Sequence, residues 1–161
     1  MPVRELCEYL DSNGVKYELI EHCTAFTAQG IAALTHTRGR EFAKTVILNM
    51  DGELVMVVAP ASYHIDVPML RASVGATSLQ LATEAEFRDR FPGCETGAMP
   101  PFGNLYGMPV YVDESLTTVQ DIAFNAGSHR ELMRMSWKDF ARLLNPRIVH
   151  CTPWRAAVHA A

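Results

Sequence analysis

Three stretches of this sequence carry residue types that could do chemistry together. They are Lys44 near the start of an apolar run, the loop Gly97-Ala98-Met99-Pro100-Pro101-Phe102-Gly103, and the turn Phe124-Asn125-Ala126-Gly127-Ser128-His129. A fixed ammonium beside backbone N–H groups can hold an anion or stabilise the oxyanion of an ester under attack by water, with no protein nucleophile. Proline fixes φ and removes a donor, whereas glycine permits positive φ and close approach of a ligand to the backbone. The Gly/Pro loop therefore reads as rigid and open-walled. His129 supplies an imidazole able to orient water or accept a proton, and equally suits a structural role after a Gly-Ser turn.

Other polar groups make weaker constellations. Ser128 has no Ser/His/Asp order or nucleophile elbow around it. His22 and Cys23 are adjacent on a strand end, so their side chains point to opposite faces. His64 and Asp66 lack a third metal ligand. Arg38 and Arg40 lie in a polar loop that suits either solvent or an anionic partner.

The elements that must position these residues follow from local signals. Ala43–Met50 and Glu53–Pro60 flank Asp51-Gly52, a two-residue type I′ hairpin signal. That turn pairs Met50 with Glu53, Leu48 with Val55, Val46 with Val57 and Lys44 with Ala59. Both faces of the hairpin are apolar, so it belongs inside a sheet covered on both sides. Lys44 then projects from an apolar face opposite a small residue. It either snorkels to solvent from the strand's beginning or holds its ammonium at the mouth of a pocket.

Around the hairpin, the sequence predicts a helix over Val3–Asn13 with Leu6, Cys7 and Leu10 on its stripe and Gly14 at its end. A strand over Lys16–Glu21 follows, then a helix Ala28–His36 capped by Thr27. Asp66 caps a helix Val67–Val74 ended by Gly75, and Ser78–Ala82 is a strand. Thr83 and Glu86 form a capping box for a helix to Arg90. Strands over Pro109–Asp113, Asp121–Asn125 and Glu131–Met135 precede a Ser136-capped helix, Trp137–Leu144. The chain from 147 to 161 reads as a loose tail of a single domain spanning 1–161.

Composition narrows the function classes. The 161 residues, 48% hydrophobic and 20% charged, suffice for a core without staples. With 14 Lys+Arg against 18 Asp+Glu the net charge is −4, so any nucleic-acid contact must be local rather than a broad basic face. Cys7, Cys23, Cys94 and Cys151 show neither CxxC nor zinc spacing and read as reduced thiols of a cytosolic protein. No signal segment and no run of about 18 apolar residues is visible, so neither secretion nor membrane spanning is expected.

Taken in order and spacing, Ala43-Lys44-Thr45-Val46-Ile47-Leu48, the Gly97–Gly103 loop and the Phe124–His129 turn resemble the YbaK/prolyl-tRNA synthetase-associated domain family, over roughly Leu6 to Pro146. The resemblance implies an α+β domain whose mixed, strongly curved β-sheet is flanked by helices. It further implies a freestanding aminoacyl-tRNA deacylase that hydrolyses mischarged tRNA in trans, with no metal or organic cofactor. Lys44 would hold the 3′-terminal nucleotide or the aminoacyl group. Gly97, Pro100, Pro101, Phe102 and Gly103 would orient the ester, and Ala126, Gly127 and Ser128 would close the pocket with His129 beside them. The partners implied are the tRNA 3′ aminoacyl end, tRNA for proline first, and prolyl-tRNA synthetase. Met99, Phe102 and Met108 could wall a small side chain or anchor the loop. A non-catalytic module binding a tRNA 3′ end, a nucleotide or a small metabolite is the alternative.

Overall fold

The Asp51-Gly52 turn forms as its sequence requires, with φ of 51° and 89° at the two positions. The computed structural model describes residues 2–21 and 40–154. Strands β2 (Ala43–Met50) and β3 (Glu53–Pro60) pair antiparallel in the expected register, Met50 with Glu53 through Lys44 with Ala59. Strand β1 (Tyr17–Glu21) precedes them. Later in the chain come β4 (Leu79–Leu81), β5 (Val110–Asp113), β6 (Asp121–Asn125), β7 (Glu131–Ser136) and β8 (Arg147–Val149). A five-stranded mixed sheet runs β4-β2-β3-β5-β8, with β5 parallel to both neighbours, and a three-stranded antiparallel sheet runs β1-β7-β6. Among the described residues an isolated bridge, Phe42 to Ala123, joins the two. The mixed α+β architecture expected from the sequence is therefore present, divided into two ladders.

Helices cover the hairpin on both faces, as its two apolar faces demand. On one side Ile47, Met56 and Val58 pack with Leu6 and Leu10 of helix α1 (Pro2–Ser12) and with Phe140 of helix α4 (Trp137–Leu144). On the other, Leu48, Val55 and Val57 pack with Leu70 of helix α2 (Val67–Val74) and with Val149 and Cys151. The caps are those the sequence signals. Asp66 accepts from Met69 N–H at 3.0 Å and Ser136 from Asp139 N–H at 3.1 Å. Thr83 and Glu86 close a reciprocal capping box on helix α3 (Glu84–Phe87). The turn Arg88–Arg90 that follows is 3₁₀, so the expected helix to Arg90 is split. The helix expected at Ala28–His36, its cap Thr27, and His22, Cys23 and Arg38 lie outside the described residues.

The chain from 147 is not a loose tail where it is described. Arg147–Val149 adds to the sheet beside β5, and Cys151 and Thr152 are buried. The cause is Asp113, 1% exposed at the end of β5. Its carboxylate accepts from Cys151 N–H at 3.0 Å and Sγ–H at 3.3 Å, from the Thr152 hydroxyl at 2.9 Å, and from Ser115 through both backbone and hydroxyl. Burial alone would push this carboxyl up; the hydrogen bonds outweigh it and hold it below its ordinary value. Residues 155–161 of the expected tail lie outside the described residues.

Replacing Asp113 with Ala leaves these buried donors without an acceptor, and we expect a loss of about 3 kcal/mol in denaturant unfolding. Because the folded carboxyl titrates lower than the unfolded one, its contribution is present above the ordinary carboxylate value and lost as pH falls through the folded one. The stability gap between wild type and Asp113→Ala should close in acid.

Candidate active site

Lys44 enters the structure on the face of β2 that carries Val46 and Leu48. Its ammonium donates to the Tyr63 carbonyl at 2.6 Å. No ion pair to a carboxylate forms at Lys44 among the described residues. Burial pulls its pKa down from the ordinary lysine value, opposed by the neighbouring Cys151. The loop that carries Tyr63 is tied to the C-terminal segment at Asp66, whose N–H donates to the Cys151 carbonyl at 2.8 Å, and Cys151 is gripped by Asp113. Lys44 therefore does not simply snorkel away. Its ammonium sits half-buried at a cavity of about 210 Å³ whose walls are Val46, His64, Ile65 and Leu81.

A second cavity, of about 240 Å³, adjoins the first across Val46 and Leu81. It is lined also by Thr45, Ile47, Phe87, Gly97 and Met99. Leu81, 58% exposed, is an apolar floor common to both.

The Gly/Pro loop meets this cavity at one end only. Gly97 is exposed, with φ +84°, while Ala98, Met99, Pro100, Pro101, Phe102 and Gly103 are all buried. The expectation of an open-walled loop is corrected for these residues. Phe102 is fully buried and stacks edge-on against Phe124 at 5.5 Å and Phe140 at 5.4 Å, which makes it the loop's anchor in the core rather than a surface offered to a ligand. Met108 is buried likewise, whereas Met99, itself 4% exposed, reaches the cavity wall. Gly103 must lack a side chain, because a Cβ would lie 2.6 Å from the Met108 carbonyl oxygen and from Val110 Cγ2.

The downstream turn grips the loop. Gly127, at φ 106°, donates to the Ala98 carbonyl at 2.8 Å and accepts from Glu95 N–H at 2.9 Å, and buried Ala126 donates to the Glu131 carbonyl at 3.0 Å. The Ser128 hydroxyl donates to the Glu131 carboxylate at 3.0 Å and accepts from Arg130 N–H. His129 Nε2 lies 3.0 Å from the Thr96 carbonyl oxygen. A carbonyl can only accept, so that contact places a proton on Nε2. The ring also packs 3.6 Å from where a Gly97 Cβ would stand. Three of the expected site elements, Lys44, Gly97 and the Gly127–His129 turn, are thus brought to one region. Thr45 and Leu81, which line the cavities, were not singled out from sequence, and His64 was weighed only as a metal ligand.

The fold and the two adjoining cavities define a small α+β domain with a candidate ligand site at the edge of its five-stranded sheet. The chain belongs to the aminoacyl-tRNA editing domain family, whose profile matches residues 22–143. It is 24% identical over 152 residues, 91% of this chain and 90% of the relative, to the multifunctional Ser/Thr-tRNA deacylase ProXp-y of Escherichia coli strain K12. A segment of 95 residues, 59% of this chain but 16% of the relative, is 26% identical to the proline–tRNA ligase of Lysinibacillus sphaericus strain C3-41. Among solved structures, a candidate trans-editing enzyme for prolyl-tRNA synthetase superposes with a TM-score of 0.80 at 21% identity, covering 95% of this chain and 98% of that one. The hypothetical protein APE2540 superposes at 0.81 and 20% identity over 92% and 99%. Among the described residues no helix is long and apolar enough to cross a membrane.

Two outcomes test this geometry. Gly103→Ala should cost about 1–3 kcal/mol, the range for forcing one methyl into a filled site, read as a lowered unfolding midpoint. Lys44→Met should leave thermal stability at neutral pH unchanged or raised, since it removes a partly desolvated charge. A lysine with a lowered folded value binds fewer protons than its unfolded counterpart between the two titrations, so wild-type stability rises with pH there. The stability gap between Lys44→Met and wild type should narrow on the alkaline side.

Proposed function

We propose that this chain hydrolyses the ester of mischarged tRNA in trans, with Lys44 at the 3′ nucleotide or acyl group and the Gly97 end of the loop against the ester. The observation that carries this reading is a half-buried ammonium, unpaired with any carboxylate among the described residues, beside two adjoining cavities that end on Gly97. Water adds to the acyl carbon, the bond to the ribose oxygen breaks, and that oxygen regains a proton. The products are a free amino acid and uncharged tRNA. An ammonium and backbone N–H groups aimed at the developing oxyanion supply the electrostatic term. The ester is already activated, so no protein nucleophile is required.

The family match supports aminoacyl-tRNA as substrate, and the similarity to proline–tRNA ligase supports tRNA for proline, with prolyl-tRNA synthetase as the partner that delivers it. The likeness to a Ser/Thr-tRNA deacylase and the modest cavity volume support small aminoacyl groups such as serine and threonine. The cytosol is the corresponding compartment. His129 serves this function by holding Thr96 and Gly97 in place through its ring.

Release of labelled amino acid from a panel of purified aminoacyl-tRNAs tests the reading. Wild type should discharge a subset selectively, and Lys44→Ala should lose about 10²-fold or more in kcat/KM with its fold intact. Tight binding that leaves every ester uncleaved would instead make the chain a binding module for the tRNA 3′ end.

A further inference from the structure

Among the described residues the outer edge of β2 is paired at both ends and open in the middle. Phe42 directs its carbonyl toward β3, where it accepts from Ala61 N–H at 2.7 Å. Ile47 directs its carbonyl the other way, accepting from Ala82 N–H at 3.0 Å. Backbone groups alternate sides along a strand, so Ala43, Thr45, Ile47 and Asn49 all face the outer edge. There Asn49 meets Gln80 of β4, Ile47 meets Ala82, and the position around Ala43 meets β6 through the Phe42–Ala123 bridge. Thr45 faces neither. Among the described residues its N–H and C=O have no backbone partner, and Thr45 lines the second cavity together with Thr96 and Gly97. The gap has a sequence cause: β4 stops at Leu81 because Thr83 and Glu86 cap helix α3 and turn the chain away.

Resting on the deacylase function proposed above, we infer that Thr45 receives the aminoacyl group of the substrate by antiparallel backbone pairing, as though that group were a one-residue strand. An α-aminoacyl ester carries an amino donor and a carbonyl acceptor on either side of one Cα, the same pattern that a residue presents in a hydrogen-bonded antiparallel pair. The Thr45 carbonyl accepts from the α-amino group, and the Thr45 N–H donates to the ester carbonyl oxygen. The second contact tightens as that oxygen gains charge, as an oxyanion donor must. The pairing reads the backbone of the amino acid and leaves its side chain to the walls of Ile47, Phe87 and Met99. It selects for esters of α-amino acids over esters that lack the amino group.

The test uses one tRNA carrying either an amino acid or the matching desamino acid, with each rate referred to its own uncatalysed hydrolysis. The wild-type rate enhancement should fall about 10- to 100-fold for the desamino ester, the loss expected of one charge-assisted hydrogen bond. Thr45→Pro removes the N–H at an edge position where proline costs no ladder bond. It should keep the wild-type circular dichroism and lower kcat about 10²- to 10³-fold, with KM changed less. Equal enhancement for both esters, or a folded Thr45→Pro chain with wild-type kcat, overturns the pairing and leaves the deacylase function standing. If Thr45→Pro fails to fold, the desamino comparison decides alone. Absence of wild-type turnover on every aminoacyl-tRNA overturns the deacylase function and the pairing with it.

Discussion

The register of the β2–β3 hairpin is the constraint on which the rest of this structure depends. A slip of one residue would move Val46, Leu48, Val55 and Val57 to the side now held by Ile47, Met56 and Val58, and both cores would have to be rebuilt. The two-residue turn at Asp51-Gly52, with both φ values positive, forbids the slip. The same register sends the Lys44 side chain toward α2 and the C-terminal segment, and sends the Thr45 backbone toward Gly97. Two chemically different groups from consecutive residues thereby serve two adjoining cavities.

Around that hairpin the site is assembled by polar groups that hold backbone rather than by side chains that reach for a ligand. Asp113 grips Cys151, Cys151 fixes Asp66, and the Tyr63–Asp66 loop presents the carbonyl that receives Lys44. On the other side Gly127 clasps Ala98, His129 clasps Thr96, and Phe102 is sunk among Phe124 and Phe140. Loop residues that looked like ligand contacts are in large part the loop's own fastenings. A desolvated ammonium and a loop fixed from both ends are what electrostatic preorganisation requires, since little has to move as charge develops.

What was legible in the sequence was local. The hairpin register, the Asp66, Thr83 and Ser136 caps and the helix ends at Gly14 and Gly75 each depend on residues a few positions apart, and each formed as expected. Lys44 stood out because a charge on an apolar face must be accounted for. Strand β8 was missed because Arg147 and Ile148 are exposed and three residues carry no periodicity; only Asp113, far off in sequence, draws that segment in. Whether Phe102 walls a ligand or anchors the loop was left open for the same kind of reason, since the partners that decide it come from β6 and α4. The gap at Thr45 left one faint signal, an eight-residue strand beside a neighbour too short to cover it.

That gap has a consequence for solubility. Unpaired strand edges are templates for other chains, and proteins guard them with charge, proline or cover. Among the described residues the open stretch is a single residue, Thr45, between the β4 side at Ile47 and the β6 bridge at Phe42. A foreign strand needs several consecutive bonds to hold on, and this opening offers the backbone groups of one residue. An opening of one residue leaves one backbone donor and one acceptor among the described residues without offering a seed for aggregation, and under the pairing inferred above its length would admit an amino acid and refuse a peptide.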